Sequence, residues 1–288
     1  MVMMVICLLK FQFNCGNSSA STSVIKLLDI ALDHLLKNEK KNHDNRPFTT
    51  IAFAQTIDGS IAPSCLGRLS ISSPRAFQML HSLRQYHQAV LVGVNTLLVD
   101  SPKLNVRSPL EHHRIEASTF NPTPVVLDSS LRFMKVMNDI KLHKPVIFSC
   151  LDLNQKDNMI LWEEATKKLT SIGGQLIHCD RNVKGRCDIN HCLQLLKQKL
   201  GITSLLIEGG ATVLQSFMEL KGVVDQLLVT IRPCFLGGYR CLTEEFSTTV
   251  SLQGVHAASV GGDVIIYGIP LHDDDNNPGM RKEVEFVM

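Results

Sequence analysis

The chain has 288 residues, of which 44% are hydrophobic and 19% are charged, the balance of a soluble globular protein with a substantial core. Its formal net charge of +2 provides no extended basic surface, so we expect neither a nucleic acid nor a membrane as the partner. A small phosphorylated ligand, held by a few placed cations, fits this composition better. The nine cysteines include no Cys-x-x-Cys pair, and the densest group, Cys179, Cys187 and Cys192, lacks zinc-site spacing. We therefore expect reduced, partly buried thiols and no bound metal.

The N-terminal segment begins with nine apolar residues followed by Lys10, a run too short to span a bilayer. An N-terminal anchor would rest on these residues alone. Because Ser and Thr are frequent between residues 17 and 23, an organelle presequence is an open alternative to the cytoplasmic location that we expect. Apolar residues at helical spacing predict an amphipathic helix over 24–36, before a charged linker. We expect residues 1–45 to form an N-terminal extension with one helix.

From residue 46 onward, short apolar runs alternate with helical stretches, which predicts an α/β domain over 46–270. The expected strands are 48–54, 89–94, 124–127, 145–149, 175–178 and 204–207, and the expected helices are 74–84, 160–172, 190–200 and 211–220. After the last helix, 225–231 and 263–267 are both predicted as strands with no helix between them. This ending indicates antiparallel strands added to a mostly parallel sheet. Residues 271–288, rich in Asp and Asn at their start, are expected to be a flexible tail.

The strongest single motif is the segment 205–212, where a buried strand ends in Glu208, Gly209 and Gly210 follow, and a helix begins at Ala211-Thr212. Glycine lets the backbone approach a ligand closely, and the N–H groups of a helix start favour phosphate oxygens. Glu208 lies where open α/β sheets place their ligand crevices. An ordinary tight turn explains a Gly-Gly pair equally well, and the motif differs from the Gly-x-Gly-x-x-Gly of a standard Rossmann site.

A second motif, 54–62, leads from a strand that contains Ala54 into a turn formed by Asp58 and Gly59. On this pattern alone, a turn is a more frequent role for Asp58 than catalysis.

A third motif, 91–107, follows another buried strand and continues through Thr96 and Asp100 to a proline-containing loop and Arg107. Arg84 ends the preceding predicted helix. Two arginines of this kind can hold one phosphate group, although surface ion pairing is the more frequent role of an arginine.

Taken in order, these segments resemble the riboflavin-biosynthesis reductase family. That family includes stand-alone fungal and archaeal reductases and the reductase half of a bacterial bifunctional deaminase-reductase. The segments that carry the resemblance are 54–59, Ile71-Ser72-Ser73-Pro74, Leu83-Arg84, 90–100, Ser101-Pro102-x-Leu104-Asn105-Val106-Arg107, 207–210, 224–227 and Pro233-x-Phe235-Leu236-Gly237-Gly238. The resemblance covers roughly residues 47–270. A deaminase signature, His-x-Glu with a later Pro-Cys-x-x-Cys, does not occur in the sequence.

The resemblance implies a dihydrofolate-reductase-like fold, a homodimer and NADPH as the cofactor. It also implies reduction of the ribosylamino side chain of a diaminopyrimidinone or aminouracil 5′-phosphate to the ribitylamino form. On the cofactor side it places Ala54, Ser70, Thr96, Asp100, Gly209, Gly210, Ala211 and Thr212. On the substrate side it places Arg68, Arg84, Leu104, Arg107 and Glu208, with the arginines holding the substrate phosphate.

In such a reaction the cofactor supplies the hydride, so the side chains orient the substrate and move a proton at the sugar oxygen. Asp58 and Glu208 are the candidate catalytic carboxylates, and a water molecule is an alternative to either. Arg181, Lys184 and Arg186 are candidates, by position only, for binding a cofactor 2′-phosphate.

Two other functions stay open at this point. One is a reductase of a pteridine-type substrate, which has no use for paired arginines. The other is a catalytically decayed protein that binds a nucleotide. The sequence also leaves open whether the substrate is deaminated before it is reduced.

Overall fold

A computed structural model of the protein describes residues 19–39, 45–64, 71–114, 121–242, 249–272 and 285–286. The strands of this part are β1 (Phe48–Thr56), β2 (Ser60–Ala62), β3 (Ala89–Gly93), β4 (Thr123–Leu127), β5 (Val146–Ser149), β6 (Gln175–His178), β7 (Ser204–Gly209), β8 (Gln226–Arg232), β9 (Tyr239–Arg240), β10 (Val250–Val260), β11 (Asp263–His272) and β12 (Glu285–Phe286). They form a ten-stranded sheet in the order β12-β10-β11-β8-β1-β7-β3-β4-β5-β6, and β2 pairs separately with β9.

Most of the large sheet is parallel. All pairings from β8 through β1, β7, β3, β4 and β5 to β6 are parallel, whereas β11 pairs antiparallel with both β8 and β10. Side chains alternate between the faces, as β3 illustrates: Val90 and Val92 pack into one hydrophobic cluster, and Ala89 and Leu91 pack into the other. The predicted fold class, an α/β domain with a mostly parallel sheet and antiparallel C-terminal strands, is confirmed.

Helices cover both faces of the sheet. On one face lie α1 (Ser19–Asn38), α2 (Pro74–Tyr86), α3 (Val94–Asp100) and α4 (Lys156–Ser171), and on the other lie α5 (Ile189–Leu200) and α6 (Ala211–Met218). Short 3-10 segments, Glu111–His113 and Arg132–Asp139, precede and follow β4. Within the described ranges, no helix combines the length and hydropathy needed to cross a bilayer.

The helix α1 is longer than the predicted 24–36, and its apolar side is an integral part of the core. Its inward side chains, at Val24, Leu27, Leu28, Ala31 and Leu35, are completely inaccessible to solvent. Polar contacts add to this packing, since His113 Nε2 lies 2.9 Å from an Asp29 carboxylate oxygen and Tyr267 Oη lies 3.1 Å from His34 Nδ1. The expected N-terminal extension therefore contributes a helix that completes one face of the sheet.

The strand β10 is absent from the sequence-based expectations. Its first seven residues are half-buried or exposed, and its register against β11 shifts between Gln253 and His256, where Gly254 has φ 58°. This irregularity breaks the alternation of apolar and polar residues by which strands are predicted. Within the expected tail, Glu285 and Phe286 pair parallel with β10, and residues 273–284 lie outside the described ranges.

Candidate active site

A cleft of about 810 Å³ opens at the carboxyl ends of β3, β4 and β7. Crevices at this edge of a parallel sheet are the usual ligand sites of α/β proteins, and the volume lies within the range of ligand pockets. Its walls come from the ends of these strands, from the first turns of α3 and α6, and from the β2–β9 pair. They include Gly93, Asn95, Ser129, Ser130, Arg132, Arg186, Gly210, Ala211, Thr212, Val213, Tyr239 and Arg240.

The two glycines that precede α6 bring the strand ends close together. Gly209 and Gly210 have φ angles of 135° and 88°, which L-residues with a side chain rarely adopt. A Cβ on Gly210 would lie 3.1 Å from Thr96 Oγ1, and a Cβ on Gly93 would lie only 2.8 Å from Val213 Cγ2. The sequence Glu-Gly-Gly thus produces a close contact between the ends of β3 and β7, with the N-terminus of α6 directed at the cleft.

Of the described residues predicted on the cofactor side, three line this cleft. Gly210, Ala211 and Thr212 line it, and Thr96 stands against Gly210. Gly209 is buried at the end of β7, Ala54 is half-buried near the end of β1, and Asp100 is exposed at the end of α3, next to the cleft-lining Val99. Ser70 lies outside the described residues.

A buried ion pair joins α2 to the end of β7. Arg84 Nε donates to Glu208 Oε1 at 2.6 Å, and Arg84 Nη2 donates to Glu208 Oε2 at 2.5 Å. The side chains are 6% and 7% exposed, so this bidentate pair is shielded from solvent. Arg84 Nη1 also donates to the Asn105 carbonyl at 2.8 Å. Arg84 therefore fixes both the Glu208 carboxylate and the loop that leads to Arg107.

The second predicted arginine, Arg107, is exposed and lies near this pair. Its Nη1 donates to Asn105 Oδ1 at 3.0 Å. Partial burial lowers the pKa of the Arg107 guanidinium, the positive charge of Arg84 lowers this pKa further, and the Glu208 carboxylate acts in the opposite direction. Leu104, three residues earlier, is buried with φ 50°, an uncommon conformation for a residue with a branched side chain. Arg68, also predicted on the substrate side, lies outside the described residues.

Asp58 is hydrogen-bonded to residues other than Arg84, Arg107 and Glu208. Its carboxylate accepts from Thr56 Oγ1 at 2.5 Å and from Ser60 Oγ at 2.8 Å. The backbone N–H groups of Leu236 and Gly237 donate to the same carboxylate at 3.1 and 2.7 Å. These hydrogen bonds, led by that of Thr56, hold the pKa of Asp58 well below its usual range. Such a carboxylate fastens the β1–β2 turn to the loop before β9 and is a poor proton donor.

Three arginines give the cleft a positive wall. Of the positional candidates, Arg186 lines the cleft, whereas Arg181 donates to the Cys150 carbonyl at 2.8 Å and Lys184 contacts Glu219 at 3.3 Å.

The other two cleft arginines, Arg132 and Arg240, are not among the sequence-based candidates. Arg132 donates to Asn95 Oδ1 at 2.6 Å. It follows the end of β4 by five residues, so a survey of every parallel strand end would have included it.

The cysteines near the cleft are buried as free thiols. Cys150, Cys179, Cys187 and Cys192 share one hydrophobic cluster, and Cys187 reaches the cleft wall. Across the described ranges, no three His, Cys, Asp or Glu side chains are arranged to hold a metal ion.

The chain is similar in sequence and in fold to several known proteins. Residues 47–266 match the family model of the RibD C-terminal domain. A Debaryomyces hansenii protein named 2,5-diamino-6-ribosylamino-4(3H)-pyrimidinone 5′-phosphate reductase is 30% identical over 203 residues, covering 67% of this chain and 77% of that protein. A Methanothermobacter thermautotrophicus protein of the same name is 29% identical over 234 residues, covering 77% of this chain and 97% of the relative. The solved Saccharomyces cerevisiae riboflavin biosynthesis reductase Rib7 shares the fold, with a TM-score of 0.62 and 21% identity over 85% of this chain and 100% of that chain.

The fold and the cleft define an α/β protein with a candidate ligand site where parallel strands end. Because the family model matches most of its length, the chain belongs to the RibD C-terminal domain family. The resemblance inferred from the spaced sequence motifs is confirmed.

Proposed function

We propose that this chain is an oxidoreductase of riboflavin biosynthesis that uses NADPH to reduce the ribosylamino side chain of a 2,5-diaminopyrimidinone 5′-phosphate to the ribitylamino form. The observation that carries the proposal is that Arg84, Glu208 and Arg107 are grouped at the carboxyl end of β7. The cleft lies at the same strand end, where Gly210 lines it. The names of the relatives at 30% and 29% identity support the diamino form of the substrate, reduced before any deamination.

The cleft residues fit a dinucleotide. Gly210 has no Cβ that would fill the space beside Thr96, and the first turn of α6 offers backbone N–H groups to a pyrophosphate. The bound nicotinamide group supplies the hydride. Ala211 and Thr212 would hold the cofactor phosphates at the start of α6.

Arginine side chains favour NADPH over NADH in this cleft. A guanidinium binds a phosphate group through two parallel hydrogen bonds, and Arg132, Arg186 and Arg240 all contribute to the wall. NADH has a hydroxyl where NADPH has its 2′-phosphate, so these cations would attract the phosphorylated cofactor more strongly.

The two arginines of the substrate side have different roles in our proposal. Arg84 uses three of its N–H groups on Glu208 and on the Asn105 carbonyl, so it positions these groups. Arg107 is exposed and uses Nη1 on the Asn105 side chain, which leaves its remaining donors for the substrate 5′-phosphate.

Of the two candidate carboxylates, we propose Glu208 as the one that contacts the substrate. A carboxylate has about four acceptor sites, and Arg84 occupies two of those on Glu208. The other two can accept from sugar hydroxyl groups while the nitrogen on C1′ forms the C1′=N bond and the C1′–O bond breaks. A water molecule then supplies the proton that the departing oxygen gains. The four donors around Asp58 favour a structural role for that residue instead.

The test is an assay of NADPH oxidation with the diaminopyrimidinone phosphate, comparing NADPH with NADH. We expect turnover that depends on the substrate, and we expect Arg186→Ala to raise the KM for NADPH at least about tenfold, since a charge-assisted hydrogen bond contributes about 1.5–3 kcal/mol. The KM for NADH should not change. Arg181→Ala is the matched control, because Arg181 bonds to the Cys150 carbonyl and does not line the cleft. NADPH binding without turnover would contradict the proposed function.

We also propose that the chain acts as a homodimer in the cytoplasm. Two apolar side chains beside the β2–β9 pair, those of Ile57 and Phe235, are 52% and 77% exposed, as expected of a self-association surface. The buried free thiols suit a reducing compartment. Light scattering on the purified chain should give the mass of a dimer, and replacing Phe235 with Glu should shift it toward the monomer. A wild-type monomer would contradict the proposal.

A further inference from the structure

Three side chains of α2 hold the loop that carries Arg107. Arg84 Nη1 donates to the Asn105 carbonyl at 2.8 Å, His81 Nδ1 accepts from the Arg107 backbone N–H at 2.9 Å, and Ser82 Oγ accepts from the Leu110 N–H at 2.9 Å. All three are buried, and His81 and Ser82 have no accessible surface. The loop is thus held to one helix at Asn105, at Arg107 and at Leu110.

The hydrogen bond at Arg107 determines the chemical state of His81. Because the partner is an N–H group, Nδ1 must be the unprotonated nitrogen of a neutral ring. Burial, followed by the charges of Arg84 and Arg107, lowers the pKa of His81 to about 3, which agrees with that state. The other nitrogen, Nε2, is buried, and no described residue forms a hydrogen bond with it.

An unpartnered buried N–H is energetically unfavourable. We therefore expect the other contacts of the His81 ring to offset this cost. Its ring lies 4.4 Å from the Phe77 ring, centroid to centroid, and its Nδ1 accepts a hydrogen bond from the Arg107 backbone N–H. The preceding loop residues Ser101 and Leu104 have positive φ angles of 42° and 50°, a backbone that needs support from its surroundings.

We propose that His81 is a positioning residue that fixes the Arg107 backbone, and through it the guanidinium, for binding the 5′-phosphate of the substrate. This inference rests on the proposed role of Arg107. His81 does not touch the reacting atoms in this scheme, so its loss should raise the KM for the phosphorylated substrate and change kcat little.

The test uses binding of ribose 5-phosphate, measured by calorimetry, so that it does not depend on turnover. We expect His81→Leu to raise the Kd about tenfold, the effect of one lost hydrogen bond. Asn places its amide oxygen near the position of Nδ1, so His81→Asn should retain most of the affinity. Gln places its oxygen near Nε2, so His81→Gln should resemble His81→Leu. If His81→Leu does not fold, the Asn and Gln variants provide the comparison.

Coupling to Arg107 separates positioning from general loosening of the fold. On the Arg107→Ala background, His81→Leu should weaken ribose 5-phosphate binding no further. The inference is overturned if wild type and Arg107→Ala bind ribose 5-phosphate with equal affinity, or if neither binds it. It is also overturned if folded His81→Leu binds this probe as tightly as wild type does. If the variants bind ribose 5-phosphate as predicted but the wild type does not oxidise NADPH, the reductase proposal is rejected and the role of His81 stands.

Discussion

Replacing Arg107 with alanine is expected to raise the KM for the pyrimidine 5′-phosphate roughly 10- to 100-fold, because hydrogen bonds to charged groups contribute about 1.5–3 kcal/mol each. The guanidinium is exposed and is held by the Asn105 side chain, so its removal should leave the core intact. We expect kcat to change much less than KM, because the phosphate is distant from the reacting carbon and is bound equally in the ground and transition states. Steady-state kinetics with saturating NADPH measure both constants.

The dephosphorylated substrate is the control for this experiment. Arg107→Ala and wild type should use it with the same kcat/KM, since it offers no phosphate to the guanidinium. Arg107→Lys should fall between them, as an ammonium keeps the charge but cannot form two parallel hydrogen bonds. An unchanged KM for the phosphorylated substrate in Arg107→Ala would refute the phosphate-binding role.

Replacing Arg84 with methionine is expected to lower the free energy of unfolding by about 3–5 kcal/mol, because it leaves a buried carboxylate without its partner. Both carboxylate oxygens of Glu208 depend on Arg84, and both side chains are nearly inaccessible to solvent. The double variant Arg84→Met, Glu208→Leu removes both charges and should recover much of the lost stability. It should remain inactive, because the Glu208 carboxylate is no longer there to contact the substrate. Urea denaturation measures the free energy of unfolding, and the NADPH assay measures activity.

A second ion pair provides a matched control. Arg46 and Asp225 form a bidentate pair at 2.7 and 2.8 Å, with side chains 18% and 12% exposed, just before β1 and β8 respectively. Arg46→Met should also destabilise the fold, yet the folded fraction should have wild-type KM and kcat. Activity in the Arg84, Glu208 double variant would contradict the assignment of Glu208 to the substrate site.

Sequence patterns predicted the parallel part of the sheet well, since its strands are short apolar runs separated by amphipathic helices. The strand β6 was predicted at its observed bounds, 175–178, and helix α5 within one residue of its start. The strand β10 could not be predicted in this way, because a bulge near Gly254 and a half-exposed surface disturb its alternation.

The candidate site was predictable to the extent that its residues lie at strand ends. Glu208, Gly209 and Gly210 follow β7 directly, so their position relative to the cleft follows from topology. The role of His81 could not be predicted, since its partner is a backbone N–H that lies 26 residues away. The environment of Asp58 could not be predicted either, because its four hydrogen-bond donors come from two segments more than 170 residues apart.

The buried face of α1 has a practical consequence for work on this chain. The family match begins at residue 47, after this helix has ended, so the family boundary suggests a shorter expression fragment. Trimming the chain there would uncover the part of the hydrophobic core in which Leu27, Leu28 and Leu35 are completely buried. Newly exposed apolar surface of this kind promotes aggregation. Recombinant fragments should therefore retain the segment from residue 19 onward, even though the family alignment does not include it.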